Sequence, residues 1–289
     1  MWYLLALLSA VFASLRKTSE KQLSHKLNHF TIGWTSQLLS LPIIATALLA
    51  RGNLFNPFTL GPKFWLPSVA IWLGFYPLNT YFYISSLRLG ELSKILPLQS
   101  FGPIIGLVLA WIFVNQKPSL MACIGILIVV VGVYALNLKG KYLHNPLKIF
   151  TADRANLLTL GSIFVAYIAA TLDVVAIKAS DPIYFAFVDT IGAVVILYVA
   201  SLLFGIKEVH KVKGSIKSLG IAGTCLGGTY TAYLIALGLA PLAYVSTLRT
   251  SGILVGSVAI GWYLKESITK LKIAALMLIV MGSIILGLN

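Results

Sequence analysis

Apolar stretches long enough to cross a lipid bilayer recur along nearly the whole of this 289-residue chain. A helix that spans a bilayer needs about 17 to 25 mainly apolar residues. Ten stretches are suitable, and they cover residues 2–22, 29–49, 64–87, 91–114, 119–138, 156–178, 182–204, 215–238, 241–264 and 270–288. Because they leave no room for a separate soluble domain, the sequence predicts an all-α integral membrane protein with ten transmembrane helices.

The composition is also that of a membrane protein. Hydrophobic residues make up 58% of the chain, charged residues make up 10%, and the mean hydropathy is +0.92. Soluble domains carry about 25% charged residues. The formal net charge of +14 is typical of basic residues held in cytoplasmic loops beside anionic lipid. We therefore expect the lipid bilayer as a partner, and no nucleic acid.

Signatures of catalysis are absent from the sequence. The histidines, which are His25, His29, His144 and His210, lie in or near connections between the apolar stretches. There is no HExxH pair, no GxSxG elbow and no glycine-rich phosphate loop. Cys123 and Cys225 lie within apolar stretches and are expected to be buried thiols. We therefore expect neither an enzyme nor a cofactor or metal site.

The two halves of the chain resemble each other at a constant offset of 150 residues. Without gaps, the offset pairs Tyr83 with Tyr233, Leu87 with Leu237, Leu92 with Leu242, Leu98 with Leu248, Gly102 with Gly252, Gly106 with Gly256 and Gly132 with Gly282. Paired glycines favour duplication of a five-helix unit over chance similarity between apolar helices. The pattern predicts a first repeat at 1–138, a connecting loop at 139–155 and a second repeat at 156–289.

An odd number of helices in each repeat forces the two copies into opposite membrane orientations. Such inverted repeats are typical of secondary transporters, whose substrate site lies between the repeats near the middle of the bilayer. Arg249 lies about 12 Å along the ninth predicted helix from Pro241, and the offset pairs it with Gln99. We expect both residues to contribute to a substrate site.

Arg249 has two interpretations. A charge near the bilayer centre costs several kcal/mol unless it faces a partner or a wet cavity. Arg249 is therefore either a fixed cation that binds a substrate carboxylate or phosphate, or a structural cation paired with a carboxylate of another helix. Asp189 and Asp173 are the acids farthest inside predicted helices. Either could pair with Arg249, bind a substrate amine or carry a coupling proton, and a place at the membrane interface is the alternative.

Aromatic and amide side chains share one face of the third predicted helix. They are Trp72, Tyr76, Asn79 and Tyr83, at spacings of four, three and four residues. Tyr230 and Tyr233 occupy the corresponding part of the eighth predicted helix. These side chains would give a small metabolite flat apolar walls and a few hydrogen-bond donors. The alternative is an interfacial aromatic belt or ordinary helix packing.

The basic residues are unevenly distributed between the connections. Apart from Arg249, seventeen lysines and arginines lie beside odd-numbered connections, and the remaining four, Arg51, Lys63, Lys117 and Lys178, lie beside even-numbered ones. The positive-inside rule then places the odd-numbered connections in the cytoplasm and both termini outside. Arg16 and Lys17 fall late in the first predicted helix. Arg16 and Glu20, four residues apart, suit a surface pair at least as well as a cavity.

The ends of the two repeats resemble those of the drug/metabolite transporter superfamily, in particular its ten-helix EamA-type members. The segments are "SFGPIIGLVLAWIFVNQKPS" followed by "MACIGILIVVVGVYAL", and "TSGILVGSVAIGWYLKESIT" followed by "KIAALMLIVMGSIILGL". Members commonly carry Gly-Glu at the end of the first of these helices, where this chain has Gln116 in one repeat and Lys265-Glu266 in the other. The resemblance implies alternating-access transport, with helices one to four and six to nine around a cavity and helices five and ten more peripheral. It also implies cytoplasmic termini, in conflict with the charge distribution.

We therefore predict a secondary-active transporter, an exporter or exchanger of a small metabolite that carries an anionic group. We expect it in the plasma or inner membrane, as a monomer or homodimer. A flippase for lipid-linked substrates is the second hypothesis, because basic loops and Arg249 would suit a phosphate head group. An intramembrane lipid-modifying enzyme is the third, and it would require clustered carboxylates or histidines.

Overall fold

The computed structural model describes residues 1–52, 59–90, 98–99, 101–136, 153–204, 208–263 and 270–287, and these residues contain helices and no strand. The helices are α1 (Trp2–Ser24), α2 (His29–Arg51), α3 (Pro62–Ala70, Ile71–Phe75 and Tyr76–Leu89), α4 (Gly102–Val114), α5 (Leu120–Leu136), α6 (Arg154–Lys178), α7 (Pro182–Leu203), α8 (Ile216–Leu239), α9 (Leu242–Tyr263) and α10 (Lys270–Gly287), with a short helix at Val209–Gly214. The predicted all-α class is confirmed.

Four of these helices are each long and apolar enough to cross a membrane, namely α2, α6, α7 and α8. Helix α4 is shorter than its predicted span at 91–114, because residues 91–97 and 100 are outside the described ones. Most of the predicted connecting loop at 139–155 is also outside them. The count of ten membrane spans therefore stays a prediction.

The starts of several helices are visible in the sequence as capping residues. The side chains of Asn28, Asp153 and Asp181 each accept a hydrogen bond from a backbone N–H in the first turn of α2, α6 and α7, respectively. Such caps satisfy N–H groups that have no partner within the helix. Helix α2 ends at Gly52, whose φ of 70° lies in the left-handed region that glycine tolerates best.

Helices α1 and α3 cap each other's C-terminal ends. The Lys21 ammonium donates to the carbonyl oxygens of Leu87 and Gly90, at 2.6 Å for Gly90. In return, the Arg88 guanidinium donates to the carbonyl oxygens of Ser24 at 2.7 Å and Leu27 at 2.8 Å. Carbonyls in the last turn of a helix lack intrahelical partners, and cations there also complement the helix dipole. These two basic residues therefore hold α1 and α3 together.

Polar contacts also join connections at each end of the bundle. The backbone N–H of Asn28, before α2, donates to Glu208 at 2.7 Å, before the short helix. At the opposite end of α2, Arg51 forms an ion pair with Asp181 at 3.0 Å. The connections after α1 and α7 therefore meet at one end, and those after α2 and α6 meet at the other. Burial raises the pKa of Glu208, but the hydrogen bonds from Asn28 and from Lys211 outweigh it, and the pKa lies below its usual value.

Helices α5 and α10 pack closely against each other at two equivalent glycines. A side chain at Gly132 would come within 3.0 Å of the Ala275 carbonyl oxygen, and one at Gly282 within 2.7 Å of the Gly125 carbonyl oxygen. The two contacts are related by the offset of 150 residues, which aligns Gly132 with Gly282 and Gly125 with Ala275. Small residues allow such close approach between helices in membranes. The paired glycines of the sequence thus have a direct packing role.

The remaining helices surround a common space. Helix α1 packs on α8 and α9, α6 packs on α3 and α4, and α2 packs on α7 and α8. Helix α3 contains a π-helical turn at Ile71–Phe75, directly before Pro77. Proline has no backbone N–H to donate, so a wider turn before it is expected. This turn sets the positions of Trp72 and Tyr76, which both contribute to the site.

Candidate functional site

A central cavity of about 320 Å³ lies among α1, α2, α3, α6, α7, α8 and α9. Ligand sites in proteins start at about 300 Å³, so this volume suits a small metabolite. The site residues predicted from the sequence that line the cavity are Arg249, Gln99, Tyr76, Asn79, Tyr83, Tyr230, Tyr233 and Asp173. The two others, Trp72 and Asp189, lie directly behind the cavity wall and contact it.

Charged residues of α1 line part of the cavity. Arg16 and Glu20 form an ion pair at 3.4 Å, and the Tyr83 hydroxyl donates to Glu20 at 2.9 Å. Lys17 donates a hydrogen bond to the Gln99 side-chain oxygen. Because all five residues line the cavity, the surface interpretation of the Arg16 and Glu20 pair is wrong.

Arg249 lies inside the cavity and has no carboxylate partner among the described residues. Its guanidinium carbon is 4.6 Å from the centroid of the Tyr233 ring, which is a cation–π contact. The Nε atom is buried and has no hydrogen-bond partner there. The sequence left open a pair between Arg249 and Asp189, and this pair does not form. Gly252, three residues after Arg249, faces Ala10 of α1 and so serves helix packing, since a side chain there would approach Ala10 to 2.7 Å.

Asp189 is completely buried and is held by three neutral donors. The indole N–H of Trp72 donates to it at 2.8 Å, and the hydroxyls of Tyr76 and Tyr230 both donate to its second oxygen. The donors come from α3 and α8, whereas Asp189 belongs to α7. Trp72 also lies flat against Gly192 of α7, where any side chain would overlap the indole ring. Trp72, Tyr76, Asp189 and Tyr230, called the aspartate latch below, therefore join three helices.

Asp173 differs from Asp189 in both position and partners. It lines the cavity and is 7% exposed. Among the described residues, no hydrogen bond or ion pair reaches its carboxylate. A buried carboxylate without a partner is unfavourable. Asp173 is therefore suited to binding something that enters the cavity.

One aromatic residue of the cavity, Tyr167 of α6, is not among the residues predicted from the sequence. It lines the cavity together with Ser246 and Thr250, which lie on either side of Arg249 along α9. Its ring fills the space beside Gly102 of α4, where a side chain would overlap it. The offset of 150 residues pairs Tyr167 with Lys17, and this pairing was the signal that could have found it.

The comparison with known families decides the class of protein. Residues 1–138 match the model of the EamA-like transporter family. The resemblance to the drug/metabolite transporter superfamily is thereby confirmed, and the apolar helices are those of a multi-pass integral membrane protein. Members of the EamA-like family are transporters rather than enzymes, as the lack of catalytic motifs led us to expect. The motif residues Lys265 and Glu266 lie outside both the matched segment and the described residues.

Solved structures share the fold of this chain. One, described only as the crystal structure of a protein, matches with a TM-score of 0.74 over 99% of this chain and 97% of that chain, at 13% sequence identity. At this identity the likeness shows the fold alone. No curated protein matches the chain. The substrate must therefore be inferred from the cavity itself.

Proposed function

We propose that this chain is a secondary-active transporter that carries a small metabolite with an anionic group by alternating access. The observation that carries the proposal is Arg249, a cation inside the cavity with no carboxylate beside it among the described residues. Gln99 and Lys17 line the same cavity and add further hydrogen-bond donors. A carboxylate or phosphate would fit between these donors.

The energetics favour a ligand over a purely structural role for Arg249. Keeping an unpaired charge inside the membrane costs several kcal/mol, whereas a cation–π contact such as that with Tyr233 returns about 0.5–2 kcal/mol. A substrate anion would supply the missing interaction with a planar, bidentate geometry. Arg249 is therefore better explained as a residue that binds a substrate anion than as a purely structural residue.

We further infer that residues 1–138 and 156–289 are two inverted five-helix repeats. The equivalent contacts of Gly132 and Gly282 support this inference, because one offset relates them. The packing of α1 on α8 and α9 corresponds in the same way to the packing of α6 on α3 and α4. Inverted repeats place the substrate site at their interface and allow it to open to either side. The central cavity lies at that interface.

The proposed function can be tested by thermal unfolding of the purified protein in the presence of a panel of anionic metabolites. A ligand that binds only the folded state raises its stability, by about 2.7 kcal/mol at a concentration one hundred times the Kd. We expect anionic compounds to raise the unfolding midpoint, and Arg249→Gln to abolish the increase. Arg154→Gln, an exposed arginine at the start of α6, is the matched control and should retain it. Equal increases in the native protein and in Arg249→Gln would refute the proposal.

For the membrane orientation we propose cytoplasmic odd-numbered connections and external termini. Four of the seventeen cations have other roles, because Arg16 and Lys17 line the cavity and Lys21 and Arg88 cap helices, but the remaining basic residues still favour the odd-numbered connections. Alkaline phosphatase fused after Asn289 should therefore be active, and a green fluorescent protein fusion should be dark. A bright fluorescent fusion with inactive phosphatase would reverse the orientation.

A further inference from the structure

We propose that the segment between α7 and α8 is a docking site for the head groups of anionic phospholipids. The segment covers residues 204–217, from the end of α7 to the first turn of α8, and is called the basic segment below. It combines exposed lysines with exposed apolar side chains, and its acid is engaged by contacts within the protein. The site lies on the surface of the bundle, so it is independent of the metabolite that the cavity binds.

Three exposed lysines lie close together along the basic segment, namely Lys211, Lys213 and Lys217. The first two belong to the short helix Val209–Gly214, and Lys217 lies in the first turn of α8. A cation in the first turn of a helix is unfavourable to the helix dipole, and no acid in that turn offsets it. Helix stability therefore does not explain Lys217.

Glu208 is the only acid in the sequence of the basic segment, and it does not neutralise the three lysines. Its carboxylate accepts a hydrogen bond from the backbone N–H of Asn28 at 2.7 Å and pairs with Lys211 at 3.2 Å. The Lys211 side chain is still 64% exposed, so this pair contributes little. No carboxylate of the described residues pairs with Lys213 or Lys217. The surface therefore keeps an excess of positive charge.

Exposed apolar side chains place these lysines at the edge of the hydrocarbon layer. Leu203 and Phe204 are 81% and 71% exposed at the end of α7, and Ile216, beside Lys217, is 56% exposed. Apolar side chains at the end of a membrane helix contact acyl chains, whereas lysines at the same level extend to the head groups. The partner that meets the lysines at this level is therefore a lipid head group, and their charge selects an anionic one.

The basic segment is fixed to the bundle by apolar contacts. Val212 of the short helix packs against a buried cluster that includes Leu27 and Leu219. The Phe204 ring stacks on Phe30 of α2, with the centroids 5.4 Å apart and the planes at 15°. A surface that is already ordered loses little conformational freedom when it binds a partner. The lysines are therefore presented to the membrane as a preformed group.

The corresponding segment of the first half of the chain lacks this cluster. The offset of 150 residues relates Lys213 to Lys63, but it relates Lys211 to Gly61 and Lys217 to Pro67. The connection with Lys63 follows α2, and it lies at the other end of the bundle from the basic segment. The shared fold of the two halves therefore does not require the lysine cluster, which favours a role specific to one membrane surface.

Native mass spectrometry of the full-length protein in detergent tests the inference by measuring the Kd of added phospholipids. Dioleoylphosphatidylglycerol is the anionic probe, and dioleoylphosphatidylcholine is the zwitterionic one. We expect a lower Kd for phosphatidylglycerol. Replacing Lys211, Lys213 and Lys217 together with glutamine should raise that Kd about tenfold or more, because each lysine beside an anionic surface contributes about fivefold in affinity. The Kd of phosphatidylcholine should stay unchanged.

A second triple variant is the matched control, in which Lys63, Lys117 and Lys178 become glutamine. These lysines are also exposed and lie beside even-numbered connections, so the net charge falls by the same amount. Its Kd for phosphatidylglycerol should equal that of the native protein. Replacing the three lysines of the basic segment with arginine keeps their charge and should also preserve the native Kd, which separates loss of charge from damage to the fold.

The outcomes decide between a site, a general attraction and a soluble ligand. Equal increases in the Kd for phosphatidylglycerol in the two glutamine variants would show attraction by net charge alone and overturn the site. An unchanged Kd in the variant of the basic segment would overturn it as well, and so would a loss of binding in the arginine variant. sn-Glycerol 3-phosphate, which has no acyl chain, should bind at least about tenfold more weakly than phosphatidylglycerol. If it binds as tightly and depends on the same lysines, the occupant is a soluble anion and the lipid docking site is wrong.

Discussion

Replacement of Asp189 with leucine is expected to lower the free energy of unfolding by about 2–4 kcal/mol. Leucine branches at Cγ as aspartate does but has no acceptor, so the indole N–H of Trp72 and the hydroxyls of Tyr76 and Tyr230 lose their common partner. Each buried donor left without a partner costs about 1–3 kcal/mol. The two hydroxyls are 3.4 Å apart and can bond to each other, which recovers part of the loss. Thermal unfolding of the purified protein measures the effect.

Asp173→Leu is the matched control for this prediction. Both aspartates are buried, yet Asp173 has no hydrogen-bond partner among the described residues and its removal leaves no donor unpaired. Replacement of a buried, unpaired charge by an apolar residue is neutral or stabilising. The unfolding midpoint should therefore fall in Asp189→Leu and stay equal or rise in Asp173→Leu. Equal decreases in the two variants would show that the aspartate latch does not stabilise the fold.

Much of the helical layout can be predicted from the sequence, because it depends on local properties. Runs of apolar residues predict where helices lie, and Asn28, Asp153 and Asp181 mark helix starts through their capping side chains. Gly132 and Gly282, which the offset of 150 residues relates, each lie at a close contact between α5 and α10. These features involve residues close in sequence or related by one constant shift.

The partners of individual charges could not be predicted in the same way. Asp189 is bound by residues of α3 and α8, and this arrangement depends on helix packing angles and on the π-helical turn before Tyr76. The spacing of Arg16 and Glu20 predicts that they pair, but not that the pair faces inward. Helices that are apolar on every side, as membrane helices are, give little indication of which face points to the core. Hydropathy located Arg249 within a helix, and only the structure shows that Tyr233 is its neighbour.

The two halves of the site differ in their charged residues. The offset of 150 residues replaces Lys17 by Tyr167 and Glu20 by Ala170, and it aligns Leu23 with Asp173. The segment of α1 thus carries a lysine and a glutamate where the matching segment of α6 carries Asp173. Arg249 lies in the same half of the chain as Asp173, and Gln99 takes its place in the other half.

Replacement of Arg249 with alanine is expected to weaken the binding of an anionic substrate by about 30-fold or more, since removal of one partner of a buried charge pair costs about 2–5 kcal/mol. Transport of that substrate into proteoliposomes should fall to the background rate. Arg249→Lys should recover part of the loss, because lysine keeps the charge but lacks the planar fork that holds a carboxylate through two hydrogen bonds. The substrate for this transport assay is a labelled form of the metabolite that gives the largest increase in the unfolding midpoint.

The stability of the ligand-free Arg249→Ala protein distinguishes a binding role from a structural one. If Arg249 ordered the bundle through an ion pair, its removal would leave a carboxylate unpaired and lower the unfolding midpoint by several degrees. The described residues place no carboxylate beside it, so the variant loses the cation–π contact with Tyr233 and is relieved of a buried charge. We therefore expect an unfolding midpoint equal to or above that of the native protein, together with the loss of transport. A variant that unfolds at a lower temperature and still transports would assign Arg249 to the architecture of the bundle, whereas a stable and inactive one assigns it to the substrate.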